Sequence, residues 1–570
     1  MTGNSAIADE TKAKKSPVEV AADNAADALI KADSAWMLVS TALVMLMIPG
    51  LALFYGGMVR RKNVLSTMMQ SMVCLSVVGV YWIAIGYCLA FGDPWLTIGD
   101  RSFLGWNSNL IFLHGVKPTH ILPGTNIPVY LHMLFQGMFA IITPALISGA
   151  LAERIRFKPY LIFLIVWATF VYCPLAHMVW AMDWNWANTL AAMPDAAKLA
   201  DSGLKAIGFL GKMDALDFAG GTVVHIAAGF SGLAAILILR PRLGYPEHAM
   251  HPNSMVLTLT GAGLLWFGWF GFNGGSAIKS GTLATSAFAA TQAAAAAAAL
   301  SWMLLEWLHR GKPTALGLAS GMVAGLVAVT PASGFVLPWA GLVIGVASGI
   351  VCYIAVYCKS IYKYDDSLDA FGVHGIGGFL GAVLTGIFCM KEAVNPDGQN
   401  GMVVTGGFGQ VGVQLFAAAF SAVAAFALSI LVVKLIDLAF GFVAQTEDEI
   451  TGLDRLEHGE TGFDLGLALE AVSGPLLMEP RSAQKPPNGI QHFQVVVDGP
   501  NVEALRQAWS DLCQPSKYVP KEFKAIYPNV TTVQGNRFKF RGGDPNQMRD
   551  NLQRLFEARL KQSVQAKVEN

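Results

Sequence analysis

Of the chain's 570 residues, 54% are hydrophobic and only 14% charged, and the mean hydropathy is +0.48. A soluble protein of this length cannot hide that much apolar surface, so the sequence reads as an integral membrane protein set in a lipid bilayer. The 39 basic and 39 acidic side chains cancel, which excludes the basic excess of a nucleic-acid binder, and seven cysteines without a Cys-x-x-Cys pair give neither a disulfide framework nor a zinc motif.

Residues 1–35 form a polar N-terminal tail carrying Lys12, Lys14, Lys15 and Lys31. No apolar stretch precedes Trp36, so no cleavable signal peptide is expected and the first apolar run must act as its own insertion signal. Runs long enough to cross about 30 Å of hydrocarbon follow at 36–58, 66–91, 129–151, 159–180, 218–240, 254–273, 282–308, 314–330, 336–360, 371–390 and 409–442. The expected fold is therefore an all-α polytopic membrane domain over 36–442 with roughly eleven transmembrane helices. Alternate short loops carry Arg60, Arg61 and Lys62; Arg154, Arg156 and Lys158; Arg240 and Arg242; Arg310 and Lys312; Lys359 and Lys363. The positive-inside rule makes these loops cytoplasmic, with the N-terminus outside and the C-terminus inside. The lysines of the N-terminal tail dissent.

Two histidines stand inside apolar, glycine-rich runs, where an ionisable group is costly unless it lines a cavity or meets a polar partner. Their settings repeat: Asp217 opens D-F-A-G-G-T-V-V-H ending at His225, and Asp369 opens D-A-F-G-V-H-G-I-G-G containing His374. F-Y-G-G at 54–57 is echoed by F-N-G-G at 272–275. If the boundary falls between the fifth and sixth helices, each unit crosses five times, and an odd number forces the two into opposite orientations. Such a five-plus-five inverted repeat brings the histidines together near the midplane and leaves the eleventh helix as an outer strap.

Composition shifts after residue 442. Residues 443–484 hold an acidic segment and the Pro-rich stretch E-P-R-S-A-Q-K-P-P-N-G, and 485–570 carry the pattern of a small soluble α+β domain, read as β-α-β-β-α, with no ligand motif.

The blocks G-L-A-L-F-Y-G-G-M-V-R-R-K-N-V-L (50–65), F-Q-G-M-F-A (135–140), G-A-L-A-E-R (149–154), D-F-A-G-G-T-V-V-H (217–225), W-F-G-F-N-G-G-S (269–276) and F-G-V-H-G-I-G-G (371–378) closely resemble the ammonium transporter (Amt/Mep/Rh) family, on its Amt side, from about 36 to 465. The resemblance implies a homotrimer with one pore per subunit, transporting ammonium or ammonia without enzymatic activity, cofactor or metal. It makes Phe135, Trp180 and Ser276 an outer recruitment site, Phe139 and Phe272 a ring gate, His225 and His374 the pore pair, and Asp217 a buried acid near the entrance. It puts Trp269 along the upper pore. Residues 446–464 resemble the family's C-terminal segment, which docks under the subunits and meets a PII-type regulator. The chain departs from the family in a long outer loop, 181–216, which leaves the vestibule lining open. A bacterial inner (plasma) membrane follows from the Amt-side motifs.

Ammonium and potassium match in size and charge, so discrimination must use N–H donors and a removable proton. Ring faces attract either cation, a serine oxygen takes an N–H, and a histidine pair takes a proton. An apolar pore passes neutral ammonia without the Born penalty of an ion. Whether the proton follows, making transport electrogenic, stays open at this stage, as does the role of Asp217 as a helix cap, a cation stabiliser or both. The alternative is an ammonium sensor, signalling pore occupancy through the appended domain.

Overall fold

The computed structural model describes residues 16–191, 204–248 and 250–463, and in the C-terminal region 492–498, 502–513, 526, 530–534, 536–541, 544–560 and 565–569. Two compact units result, Met1–Gly466 and Leu467–Asn570; the Pro-rich stretch lies outside the described residues. The first unit is built from α1 (Pro17–Met58), α2 (Arg61–Phe91), α3 (Val129–Leu151), α4 (Phe157–Trp180), α5 (Gly221–Ile238), α6 (Met255–Gly275), α7 (Thr282–Arg310), α8 (Ala315–Val329), α9 (Pro338–Tyr362), α10 (Phe371–Phe388) and α11 (Gly409–Phe440). All but the shorter apolar α8 are long and apolar enough to span a bilayer.

The first helix corrects the sequence reading, in which 1–35 was a tail. It starts at Pro17, where Ser16 and Glu19 form a capping box and proline occupies the first turn. The alanine-rich stretch that follows has high helix propensity but too little apolarity to register as a span. Buried Asp33 ties this extension to the loops beyond α2 and α6, accepting bonds from Asn126 Nδ2 (2.9 Å) and from Ser280 N and Oγ (2.8 and 2.7 Å).

Helices α1–α5 and α6–α10 form the two halves of the inverted repeat, and they cross at glycines. A Cβ on Gly261 of α6 would lie 2.3 Å from Phe54 N of α1, and one on Gly229 of α5 would lie 2.2 Å from Gly375 N of α10. Backbones therefore touch where lipid offers no hydrophobic drive for association, so close van der Waals packing holds the halves together. Helix α11 lies outside the repeat. Its Gln414 satisfies Leu216 N and O (both 2.7 Å) and Ala382 O (3.1 Å), strapping the segment before α5 to α10.

One end of the bundle, the basic pole, gathers buried ion pairs. Arg242 joins Glu153 (2.8 Å) and Asp365 (2.7 Å), Arg60 joins Glu153 (2.9 Å), and Arg154 joins Asp365 (3.2 Å). Burial alone would push the Asp365 and Glu153 carboxyls up, but the facing guanidinium groups hold both below the ordinary carboxylate range. A depressed acid stabilises the fold above its unfolded pKa, so this contribution is present at neutral pH and is lost in acid as pH falls through the lowered value.

The segment after α11 docks on the same pole through α12 (Thr446–Thr451) and α13 (Leu453–His458). Asp454 accepts Leu65 N (3.1 Å) and Ser66 N (2.8 Å), capping the first turn of α2, while Asn63 Oδ1 accepts Leu453 N (2.9 Å). Glu449 pairs with Arg240 (2.8 Å) and accepts Leu243 N (2.7 Å), and Glu457 accepts Phe157 N (3.1 Å) at the start of α4.

After the antiparallel pair β1 (Asp93–Ile98) and β2 (Arg101–Trp106) that follows α2 in the first unit, the second unit orders β3 (His492–Asp498), α14 (Val502–Cys513), β4 (Val530–Gln534), β5 (Arg537–Arg541), α15 (Pro545–Leu560) and β6 (Gln565–Glu569). Its antiparallel sheet runs β4-β5-β3-β6. The final strand corrects the expected β-α-β-β-α to β-α-β-β-α-β. Short, half-polar β6 carries little alternation of its own and pairs with β3 through Gln494↔Glu569 to Asp498↔Gln565. Val495, Val497, Trp509, Phe538, Phe540, Leu552 and Phe556 form its core.

Because Gly229 faces backbone rather than a yielding side chain, Gly229→Val is expected to abolish the folded membrane unit. Size-exclusion chromatography in detergent should find little monodisperse protein, whereas Gly263→Ala, where an added Cβ meets nothing within 4 Å, should leave the profile unchanged.

Candidate functional site

Both histidines sit where the helical hydrogen-bond pattern loosens. Residues Gly221–Ile226 of α5 and Phe371–Gly375 of α10 are π-helical, an irregularity common at functional positions. Asp217 fixes the first of these turns. Its carboxylate accepts the backbone N–H groups of Gly220 (2.9 Å), Gly221 (2.5 Å), Thr222 (2.9 Å) and Val223 (3.2 Å), together with the Thr222 hydroxyl. Gly220 turns the chain with φ of 107°, a conformation that only glycine adopts without strain.

The counterpart in the second half is Asp366, not Asp369 as the motif comparison suggested. Asp366 precedes His374 by the same interval as Asp217 precedes His225, and it accepts Ala370 N (3.1 Å) and Phe371 N (2.8 Å) at the start of α10. Burial pushes its carboxyl up to about 6, with Lys359 opposing the rise and Asp369 adding to it. Asp369 instead turns in the left-handed region (φ 60°) and pairs with Lys359.

These caps bring the two imidazoles into contact. The rings are 5.3 Å apart between centroids and 23° from parallel, with Nδ1 3.3 Å from Nδ1. Both side chains are buried, and His225 Nε2 has no protein partner. A Cβ on Gly378 would lie 2.9 Å from His225 Cβ, so glycine there gives the ring its room. A shared Nδ1 contact requires one protonated and one bare Nδ1. In neutral rings the remaining Nε2 atoms are then of opposite kind, one acceptor and one donor.

The passage around the pair is narrow and apolar. A cavity of about 10 Å³ is lined by Met47, Leu51, Ile142, Leu146, Leu265, Val323 and both histidines, roughly the space of one water-sized probe. Trp269, expected along the upper pore, stacks on His225 (5.4 Å, 22°) and donates its indole N–H to Thr330 Oγ1 (2.9 Å), one helical turn nearer the basic pole than Phe272. At the other end of the pair, His374 shares a second cavity of about 10 Å³ with Ser320 and Asp369.

Toward the pole opposite the basic one, Phe272 stacks on Phe139 (4.2 Å, 30°), and the two rings separate the histidines from a larger vestibule. That vestibule has a volume of about 450 Å³, and Gln136, Phe139, Trp180, Trp184 and Ser276 line it. Trp180 stands edge-on to Phe139 (6.0 Å, 85°) and donates its N–H to Asp217 O (2.8 Å). Ser276 donates its hydroxyl proton to Phe272 O (2.8 Å). Phe135 is fully buried behind Phe139 (4.9 Å, 63°) and is not among the lining residues, a place taken by Gln136 on the next position of α3. The long loop after Trp180 contributes Met182, Trp184 and Leu204 to the wall.

Sequence reasoning missed Gln136 and Asp366. The first was signalled by a polar side chain on the α3 face that carries Phe139, the second by the shared interval to its histidine. No cluster of His, Cys, Asp or Glu suited to a metal occurs among the described residues.

A ten-helix inverted repeat with an eleventh helix outside it, enclosing a narrow apolar passage with two touching histidines at its centre, defines a membrane channel or transporter. Residues 35–463 match the Ammonium Transporter Family, and the chain belongs to it. It is 41% identical over 472 residues to the ammonium transporter of Mycobacterium tuberculosis, covering 80% of this chain and 95% of the relative. It is 42% identical over 435 residues to that of Bacillus subtilis, covering 76% and 98%. Among solved structures, Candida albicans Mep2 matches with a TM-score of 0.64 at 32% identity over 73% of this chain and 87% of that one. A structure titled "Sensor Amt Protein" matches at 0.64 and 26% identity, over 76% and 99%. The β3–β6 unit lies beyond the residues matched to the family.

The cap geometry predicts the result of a conservative change. Asp217→Asn keeps the size but puts an amide N–H₂ against backbone N–H donors, at a cost of about 1–3 kcal/mol for a buried group left unsatisfied. A lower melting temperature and faster hydrogen exchange at Gly221–Val223 are expected, and wild-type exchange there would rule out the capping role.

Proposed function

We propose that this ammonium transporter works by recruiting the ammonium ion at Trp180 and Ser276, with Phe135 supporting the ring cluster, removing a proton, and passing ammonia beyond the Phe139–Phe272 gate to His225 and His374. The observation that carries this reading is the direct histidine contact inside a passage too narrow and apolar for a hydrated ion. Ring faces stabilise a cation by roughly 0.5–2 kcal/mol. Ser276 has already given its proton to Phe272 O, so its oxygen is left to accept an ammonium N–H. Between the gate and the histidine pair the lining is apolar, and a bare ion there would pay a large desolvation cost. Deprotonation is therefore the route of lower energy.

The released proton follows the histidines. A donor Nε2 at one end of the pair and an acceptor at the other form a two-ring relay, which makes transport electrogenic. Asp217 acts on the cation through the bonds it organises: its own oxygens are occupied by the helix cap, and it holds Trp180 through its backbone carbonyl.

The basic pole faces the cytoplasm of a plasma membrane, by the positive-inside rule, and the vestibule opens outside. The subunits assemble as a homotrimer. The docked segment 443–463 holds the starts of α2 and α4, which makes it the lever through which a PII-type protein or the appended domain regulates flux.

Purified protein in liposomes tests the reading. An ammonium pulse should evoke an inward current that is absent with potassium, and His225→Ala or His374→Ala should abolish it or admit potassium. Unaltered current and selectivity in both variants would remove the relay. Truncation after residue 463 should leave current present, whereas truncation after 442 should suppress it, because α2 and α4 then lose their caps. A full-length protein that binds ammonium but never conducts would be a sensor.

A further inference from the structure

The vestibule offers a cation few hydrogen-bond acceptors, because most polar groups around it are already committed. The Trp180 N–H is bonded to Asp217 O, and the Ser276 proton to Phe272 O. Gln136 is not committed, nor is the exposed carboxylate of Asp397. Gln136 lies on α3 one turn after His132 and one turn before Phe139, on the face that lines the cavity. Its Oε1 has no partner in the protein and no solvent exposure. An unpaired buried amide oxygen costs about 1–3 kcal/mol, and rotation about its terminal torsion, which is soft, turns it into the cavity. The neighbours of Gln136 and Ser276 in the chain are in contact: a Cβ on Gly275 would lie 2.7 Å from the Phe135 ring. The two acceptors therefore stand on adjoining walls of one chamber, just outside the stacked rings.

From this placement we infer that Gln136 is a substrate-binding residue of the vestibule, whose side-chain carbonyl accepts an N–H of the ammonium ion while Ser276 accepts another. The inference rests on the recruitment site proposed above and adds a ligand to it. The chamber of about 450 Å³ admits ammonium still hydrated, and the gate does not. Between them the ion must exchange water for protein oxygens, as carbonyl groups do for cations in channel filters. Gln136 supplies one of these oxygens and Ser276 the next, while the faces of Trp180 and Phe139 replace the rest of the shell. A neutral carbonyl takes part in no proton transfer, so it sets affinity and leaves the rate through the histidines unchanged.

Ammonium-evoked current in liposomes, measured against concentration, separates this role from a structural one. Gln136→Leu is expected to raise the half-saturating ammonium concentration about 10-fold while the maximal current stays within about twofold, and Gln136→Glu to lower it, since a carboxylate binds the cation more strongly. Gln136→Met serves in place of the leucine variant if that protein elutes aggregated. Trp180→Leu is run alongside. If it raises the half-saturating concentration while Gln136→Leu and Gln136→Met match wild type, the inference on Gln136 fails and the recruitment site stands. If Trp180→Leu also matches wild type, the recruitment site itself has failed.

Discussion

The cost of leaving a polar group unsatisfied in hydrocarbon governs this molecule. Within the bilayer no water is available to complete a hydrogen bond, so a polar atom left unanswered there is costly. Most are answered. Asp217 meets four backbone amides, Gln414 meets both polar groups of Leu216, and Trp269 meets Thr330. Against that background the unanswered atoms around the passage, His225 Nε2 and Gln136 Oε1, stand out. One lies beside the passage and the other at its entrance.

The same constraint shapes the starts of the two histidine-bearing segments. The first N–H groups of any helix lack an internal partner, and those of Gly220 to Val223 are met by one carboxylate lying before the helix. Asp217 thus anchors the start of the segment that presents His225, and Asp366 does the same for His374. Glycine completes the arrangement. Gly229 and Gly375 let the two backbones meet, and Gly378 clears the space beside His225, so ring contact is fixed by backbone contact rather than by flexible side chains.

Much of this was legible in the sequence, for physical reasons that also mark where reading fails. Apolar runs located the spans because bilayer thickness fixes their length, and the boundaries of α3 at 129 and 151 agree with the apolar run itself. The start of α1 escaped because its first two turns and more are helical through alanine propensity and capping, outside hydrocarbon, where hydropathy carries no signal. The histidines were legible because an ionisable residue in an apolar run is costly. Asp369 was matched to Asp217 because both open a glycine-rich motif, yet capping depends on the distance from carboxylate to helix start, and that distance selects Asp366. Phe135 and Phe139 lie four residues apart on one helix, and only packing decides which faces the cavity.

The two ends of the bundle differ in a way that bears on regulation. The vestibule end is closed by loops that meet through backbone bonds, rings and the Asp33 carboxylate, whereas the basic pole is held by buried charges on the segments that follow α1, α3, α5 and α9. Removing one member of a buried ion pair costs about 3–5 kcal/mol, because its partner is left charged and unsolvated. Glu153 serves Arg60 and Arg242 together, and Asp365 serves Arg154 and Arg242, so this pole moves as a unit or not at all. The docked segment is held more loosely, its ion pair joining Glu449 to the partly exposed Arg240. Asp454 and Glu457 hold α2 and α4 through single carboxylates on backbone amides, bonds that break without stranding a buried cation. Undocking the segment would thus free the starts of α2 and α4, while the shared pairs of Glu153 and Asp365 keep the repeat assembled.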